Sequence, residues 1–151
     1  MKLYLMRHGL AKSKHADLQR GLTDRGVREV KHIADHLAKR HVTADVIWHS
    51  GKNRARQTAE IVADHITCSD DIVQRDGILP DDPISPIVGT LGAMTEDVML
   101  VGHLPFIDDL AAQLIGQHPT GCMTSCAGVM CLRRDDAGQW RCEWAIDPSS
   151  L

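Results

Sequence analysis

Apolar positions along this chain change their spacing repeatedly, and each change marks an element. Lys2–Met6 is a short apolar run and predicts a first strand. Leu22-Thr23-Asp24 then opens a helix: Thr23 can cap it, and Leu22 and Val27 stand where a hydrophobic staple forms. Val27, Val30, Ala34 and Leu37 continue at helical spacing. Asp45–Trp48 predicts a second strand, and Ala55, Ala59, Val62 and Ile66 mark a second helix. A short strand is expected near Ile72–Val73. Leu79–Pro86, with three prolines and two aspartates, is expected as loop. Ile84, Ile87, Val88 and Leu91 predict a short helix after it. Val98–Val101 is an apolar strand ending at Gly102, and Pro105 suits the first turn of a helix. Ile107, Leu110, Ala111 and Leu114 are that helix's buried stripe, with Asp108 and Asp109 near its positive end. Two runs close the chain, Ala127–Leu132 and Trp140–Ile146. In the second, Trp140, Cys142, Trp144 and Ile146 alternate with Arg141 and Glu143, which predicts a hairpin on one sheet edge.

Strands alternating with helices predict an α/β protein with a largely parallel central sheet. In such sheets ligands bind beyond the carboxyl ends of the strands. A chain of 151 residues suits a single domain over 1–151, and its 43% apolar share is enough for a core.

Charge narrows the function further. The formal net charge of −3 provides no global basic field, and the aromatic content of 3% provides few stacking platforms, so no nucleic-acid partner is expected. Basic residues cluster locally instead, at Lys2, Arg7, Lys12 and Lys14 and again at Lys52, Arg54 and Arg56, which suits an anionic ligand. No apolar run approaches the ~20 residues of a membrane span, and Met1–Met6 runs into charge too early for a signal peptide. The five cysteines (Cys68, Cys122, Cys126, Cys131 and Cys142) are odd in number, irregularly spaced and without a Cys-x-x-Cys. Reduced, mostly buried thiols in a cytoplasmic protein are therefore expected. His32 and His36 have a zinc-compatible spacing, but they lie off the apolar stripe and lack a third ligand; a solvated helix face is expected, and no metal or cofactor.

Three predicted strands end in suggestive residues. The first ends in Arg7-His8-Gly9. The second runs into His49-Ser50, with Arg54 opening the next helix. The third ends in Gly102-His103 before Pro105. If these strands are parallel neighbours, two arginines, two histidines and two helix N-termini converge on one rim. That set suits phosphate: guanidinium groups bind its oxygens in pairs, and helix N-termini offer free N–H groups. Arg56 is the alternative to Arg54 in this role. Gly9 would let the backbone approach the bound group closely. A neutral histidine in such a pocket is a nucleophile.

Leu5-Met6-Arg7-His8-Gly9 resembles the signature of the histidine phosphatase superfamily, also called phosphoglycerate mutase-like. Leu22-Thr23-Asp24-Arg25-Gly26 is similar to the family's helix opening. Ser50 through Arg54-Ala55-Arg56-Gln57-Thr58-Ala59 is similar to its second motif, and Val101-Gly102-His103-Leu104-Pro105 to its third. The short chain and the last motif resemble the SixA-type phosphohistidine phosphatases in particular. The resemblance implies a three-layer α/β/α sandwich, His8 as nucleophile, and Arg7, Arg54 and His103 as a phosphate clamp. Ser13 falls where relatives often carry a small polar phosphate contact. With Gly9 and Leu104 beside the two histidines, it completes the expected substrate contacts.

Larger relatives carry a glutamate general acid on an inserted segment, and no matching glutamate stands between Thr67 and Glu96. Asp81 and Asp82 are the nearest candidates for a general acid. A missing strong acid fits a leaving group that is easily protonated, such as the imidazole of phosphohistidine. The segment is also too short for a lid, which favours a protein side chain over an engulfed metabolite. The expectation is a metal-independent phosphatase acting on a phosphorylated protein, a phosphotransfer domain or a phosphocarrier. The alternatives are a small-molecule phosphomonoesterase on the same scaffold and a non-catalytic phosphoprotein-binding module.

Overall fold

Leu3 and Leu5 turn to one side of the first strand and Tyr4 and Met6 to the other, and all four are buried. A strand covered on both faces lies in the middle of a sheet. The computed structural model describes residues 1–117 and 125–151. In chain order the elements are β1 (Lys2–Arg7), α1 (Asp24–Lys39), β2 (Thr43–Ala44), β3 (Val46–His49), α2 (Asn53–Ala63), β4 (Thr67–Cys68), β5 (Ile72–Gln74), α3 (Ser85–Ala93), β6 (Val98–Gly102), α4 (Phe106–Ile115), β7 (Val129–Arg134) and β8 (Trp140–Ile146). The main sheet has the order β5-β3-β6-β1-β7-β8. Its first four strands are parallel; β7 runs antiparallel to β1, and β8 antiparallel to β7.

Alternation along the strands divides the core in two. Tyr4, Met6, Met99 and Val101 face α1 and α2, meeting Val30, Ile33, Ala34, Leu37, Ala55, Ala59 and Val62. Leu3, Leu5, Val98 and Leu100 face α3 and α4, meeting Ile87, Leu91, Phe106, Ile107 and Leu110. The result is the three-layer α/β/α sandwich. No helix of the described residues is long and apolar enough to cross a membrane.

Local chemistry sets where the elements begin. Thr23 caps α1: its Oγ1 accepts the Gly26 N–H at 2.9 Å, and its own N–H donates to the Leu10 carbonyl at 2.9 Å. The loop after β1 thereby lies on the first turn of α1. The approach is so close that a Cβ on Gly26 would stand 2.2 Å from the Leu10 oxygen. Pro105 occupies the N-cap position of α4 and the helix begins at Phe106. Ile66 lies beyond the end of α2 but is still buried.

The closing hairpin is present, with two differences from the pattern. β7 starts at Val129, because the Ala127 N–H turns back to the Arg7 and His8 carbonyls at 3.1 and 3.2 Å and Ala127 has φ +63°. A bulge between Cys131 and Leu132 sets Cys131 opposite Trp144 and Leu132 opposite Cys142. It reverses the facing of β8 midway: Trp140 packs with the α3/α4 side, Trp144 and Ile146 with the α1/α2 side. The alternation of Trp140, Cys142, Trp144 and Ile146 is thus broken within the strand. The expectation of mostly buried thiols is corrected: Cys131 is buried, Cys68 and Cys126 are half-buried and Cys142 is exposed. Cys122 lies outside the described residues.

Candidate active site

β6 lies between β3 and β1, so the carboxyl ends of these three parallel strands are neighbours. Arg7 pairs in register with Gly102, and His49 with Val101. His8 is placed by its own N–H, which donates to the Gly102 carbonyl at 3.0 Å. Its ring Nδ1–H donates to the Gly9 carbonyl at 2.7 Å, which leaves the lone pair on Nε2. Arg54, in the first turn of α2, points its Nε–H at that Nε2 from 3.4 Å. Both contacts require the same tautomer. Burial pushes the His8 pKa down to about 4; the Gly9 hydrogen bond opposes it, and the positive charges of Arg54, Arg7 and Arg20 add to the lowering. His8 is therefore a neutral imidazole at pH 7.

His103 follows β6. Its Nε2 lies 2.6 Å from Ser50 Oγ, which also accepts the Lys52 N–H at 3.3 Å. A hydroxyl can donate to Nε2 while accepting the Lys52 N–H, and in that arrangement the imidazole proton sits on Nδ1. That Nδ1 is buried without a hydrogen-bond partner among the described residues. Burial, followed by the charges of His8 and Arg54, lowers the His103 pKa to about 3. The two imidazoles lie 5.0 Å apart with their planes at 53°.

A buried threonine locks these pieces together. Thr58 Oγ1 accepts the Gly9 N–H at 3.0 Å and donates to the Arg54 carbonyl at 2.8 Å, so one hydroxyl ties the loop after His8 to the helix turn carrying Arg54. Gly9 also has a packing reason to be glycine. A Cβ there would lie 2.6 Å from Val30 Cγ2, against α1. Its N–H, moreover, is already taken by Thr58.

Of the remaining predicted residues, Arg7 ends β1, where its charge reaches His8. Arg56 is exposed and engaged with Glu60 at 2.9 Å and with Asn53, which leaves the place beside His8 to Arg54. Ser13 sits in an exposed turn, its Oγ accepting the Ala16 N–H at 3.2 Å, and Leu104 packs partly buried against the α3/α4 core. Asp81 and Asp82 border a cleft of about 440 Å³ that Arg54, Lys52, Lys14 and Arg20 also line. Asp82 is held in a turn, accepting the Leu79 N–H at 2.8 Å.

Arg20 is the site residue that the sequence pattern missed. It lines the same cleft as Arg54, and its charge adds to burial in lowering the pKa values of His8, Arg54 and His103. It is held with φ +49°, its Nε–H donating to the Lys12 carbonyl at 3.0 Å. The one available signal was an arginine just before the Leu22-Thr23 helix opening. Among the described residues, no group of three or more His, Cys, Asp or Glu side chains is arranged to hold a metal ion. The centre as a whole sets a neutral imidazole lone pair beside guanidinium groups, an arrangement chemically able to attack an anionic tetrahedral group.

Comparison with known proteins agrees with this geometry. The family model of the histidine phosphatase superfamily (branch 1) matches residues 3–78. No curated protein matches the chain by sequence. Among solved structures, the protein histidine phosphatase SixA complexed with tungstate is 26% identical, with a TM-score of 0.88 over 99% of this chain and 98% of that one. A SixA protein from Agrobacterium tumefaciens is 29% identical, with a TM-score of 0.81 over 97% of each chain. A phosphoserine phosphatase from Entamoeba histolytica, 15% identical, shares the fold with a TM-score of 0.74 over 99% of this chain and 98% of that one. With its family motifs gathered on one rim of the expected sandwich and the family model matched over half its length, the chain belongs to the histidine phosphatase superfamily, branch 1.

Proposed function

We propose that this protein is a phosphatase that carries the phosphoryl group on His8, and that its substrate is phosphohistidine on a protein partner. The observation that carries the reading is the His8 Nε2 lone pair, fixed by the Nδ1–H bond to Gly9 and faced by Arg54. Nε2 attacks phosphorus as the bond to the leaving imidazole breaks. Arg7, Arg54 and Arg20 carry the charge that builds on the phosphoryl oxygens, and His103 Nδ1–H donates to one of them. Water then attacks phosphorus, the P–Nε2 bond breaks, and inorganic phosphate leaves with His8 restored. The arginines supply the positive charge without a metal ion.

The leaving group argues for phosphohistidine. An imidazole titrates near neutral pH, so it arrives with its second nitrogen protonated and departs neutral, without a strong enzymic acid. The likeness to a protein histidine phosphatase supports the same substrate, and tungstate in that structure is a tetrahedral oxyanion like phosphate. A small phosphate ester is the second reading, favoured by the position of Asp81 and Asp82 on the cleft beside Arg54, where a carboxyl group could protonate an alkoxide.

The deciding experiment compares turnover of a histidine-phosphorylated protein with that of a panel of small phosphate esters at neutral pH. The expected result is fast turnover of the protein, abolished in His8→Ala while the fold survives. A His8→Ala variant of full activity would overturn the mechanism, and preference for an ester would establish the second reading. Phosphate binding without turnover of either substrate would identify a non-catalytic phosphoprotein-binding module.

A further inference from the structure

Four large apolar side chains are exposed among the described residues: Leu18, Val73, Leu79 and Leu151. Two of them, Leu18 at 91% exposure and Leu79 at 38%, come from separate loops to line the cleft that Arg54 also reaches. The loop carrying Leu18 is well built. Asp17 accepts the Gln19 and Gly21 N–H groups at 3.0 and 2.8 Å, Ser13 accepts those of Ala16 and Asp17, and Arg20 bonds to the Lys12 carbonyl. A leucine presented this fully on an ordered loop is placed for an apolar contact outside the molecule.

The charge around it states what kind of contact. Lys14, Arg20, Lys52 and Arg54 line this cleft on a chain whose net charge is −3. Of the two carboxylates there, Asp82 is occupied by the Leu79 N–H. A small phosphate compound needs only the arginines and His8 and gains nothing from Leu18. A protein carrying the phosphoryl group covers the cleft and does meet Leu18.

We propose that Leu18 and Leu79, flanked by Lys14 and Lys52, form the docking surface for the phosphoprotein, seating an apolar side chain of an acidic partner surface while its phosphohistidine reaches His8. The proposal rests on the phosphohistidine reading above and adds the partner's chemistry: an apolar residue ringed by carboxylates beside the modified histidine. Attraction of opposite charge raises the encounter rate, and the apolar contact slows departure.

The test uses the full chain with Leu18→Ser and Leu79→Ser, both changes of exposed apolar side chains that carry no charge to the phosphate centre. The probes are a histidine-phosphorylated phosphocarrier of net negative charge and the free amino acid phosphohistidine. Each variant is expected to lose tenfold or more in kcat/KM on the phosphocarrier, mainly through KM, while staying within twofold on free phosphohistidine. Wild-type activity on the phosphocarrier should also fall as salt rises. Unchanged kcat/KM on the phosphocarrier in Leu18→Ser would overturn the docking surface. Equal losses on both probes would overturn it too, by showing that the loop serves the chemistry instead. A wild-type protein that turns over neither probe would refute the phosphohistidine reading itself, a different outcome from either.

Discussion

In the proposed mechanism the state of one nitrogen of His8 controls the chemistry, and that state has a pH signature. Nucleophilic attack needs Nε2 unprotonated, and the His8 pKa is held at about 4 by burial and three arginines. The acid limb of kcat/KM should therefore fall near pH 4; a limb at the ordinary histidine value of 6.5 would show that His8 is not held neutral. Ser50 governs the partner histidine. Ser50→Ala removes the proton donated to His103 Nε2 and frees the ring to change tautomer, so kcat/KM should fall roughly tenfold to a hundredfold with the fold intact. Nitrogen-15 shifts of the His103 ring should show loss of the Nδ1–H form in Ser50→Ala and its retention in Ser50→Thr, which keeps the hydroxyl. In the proposed mechanism guanidinium groups meet the charge on the phosphoryl group, so EDTA should leave turnover unchanged; loss of activity that added metal restores would contradict this. At this scale the sequence was informative for His8, Arg54 and His103, which stand in short motifs. It was silent on Arg20, whose membership depends on how an irregular loop folds back, and ambiguous on Gly9, whose constraint comes from Val30 across the fold.

Elements carry their own tests, because the same substitution has opposite effects at different glycines. Gly26 faces the Leu10 carbonyl at a distance no Cβ tolerates, so Gly26→Ala should destabilise by about 1–3 kcal/mol, read from urea midpoints. Gly89 lies within α3 with nothing near the Cβ position, so Gly89→Ala should stabilise by roughly 0.4–1 kcal/mol. Equal effects at the two sites would contradict the packing of the β1 loop on α1. Helix starts were legible where a side chain announces them, as Thr23 does for α1. The facing of β8 was not, because a bulge is a property of the pairing with β7, and Cys142 and Trp144 look like ordinary alternating positions until the partner strand is known.

For the whole molecule, the two buried histidines couple stability to pH. Their folded pKa values, about 4 for His8 and about 3 for His103, lie below the ordinary 6.5. Between those limits the unfolded chain binds protons that the folded chain does not. Their contribution is therefore complete above pH 6.5 and is lost as pH falls toward 4 and then 3. Urea midpoints measured across this range should decline toward acid, and less steeply in His8→Ala and in a His103→Ala variant. Parallel declines in the variants would mean that these histidines are solvated in the folded protein.

Periodicity alone determined the kinds and order of the longer elements and the motifs that the long strands carry to their ends, since period 2 and period 3.6 are local consequences of backbone geometry, whereas the two-residue strands Thr43–Ala44 and Thr67–Cys68 are too short to show a period. It determined the site only conditionally, on the supposition that three strands are parallel neighbours. The tertiary structure supplied the order β3-β6-β1 that makes them so, and with it the contact of Arg54 with His8, the Ser50–His103 pair and the arrival of Arg20. The Ser50–His103 pair alone joins residues 53 positions apart. Sheet order, loop path and the competition for each buried hydrogen-bonding group set such contacts, and no short stretch of sequence contains them.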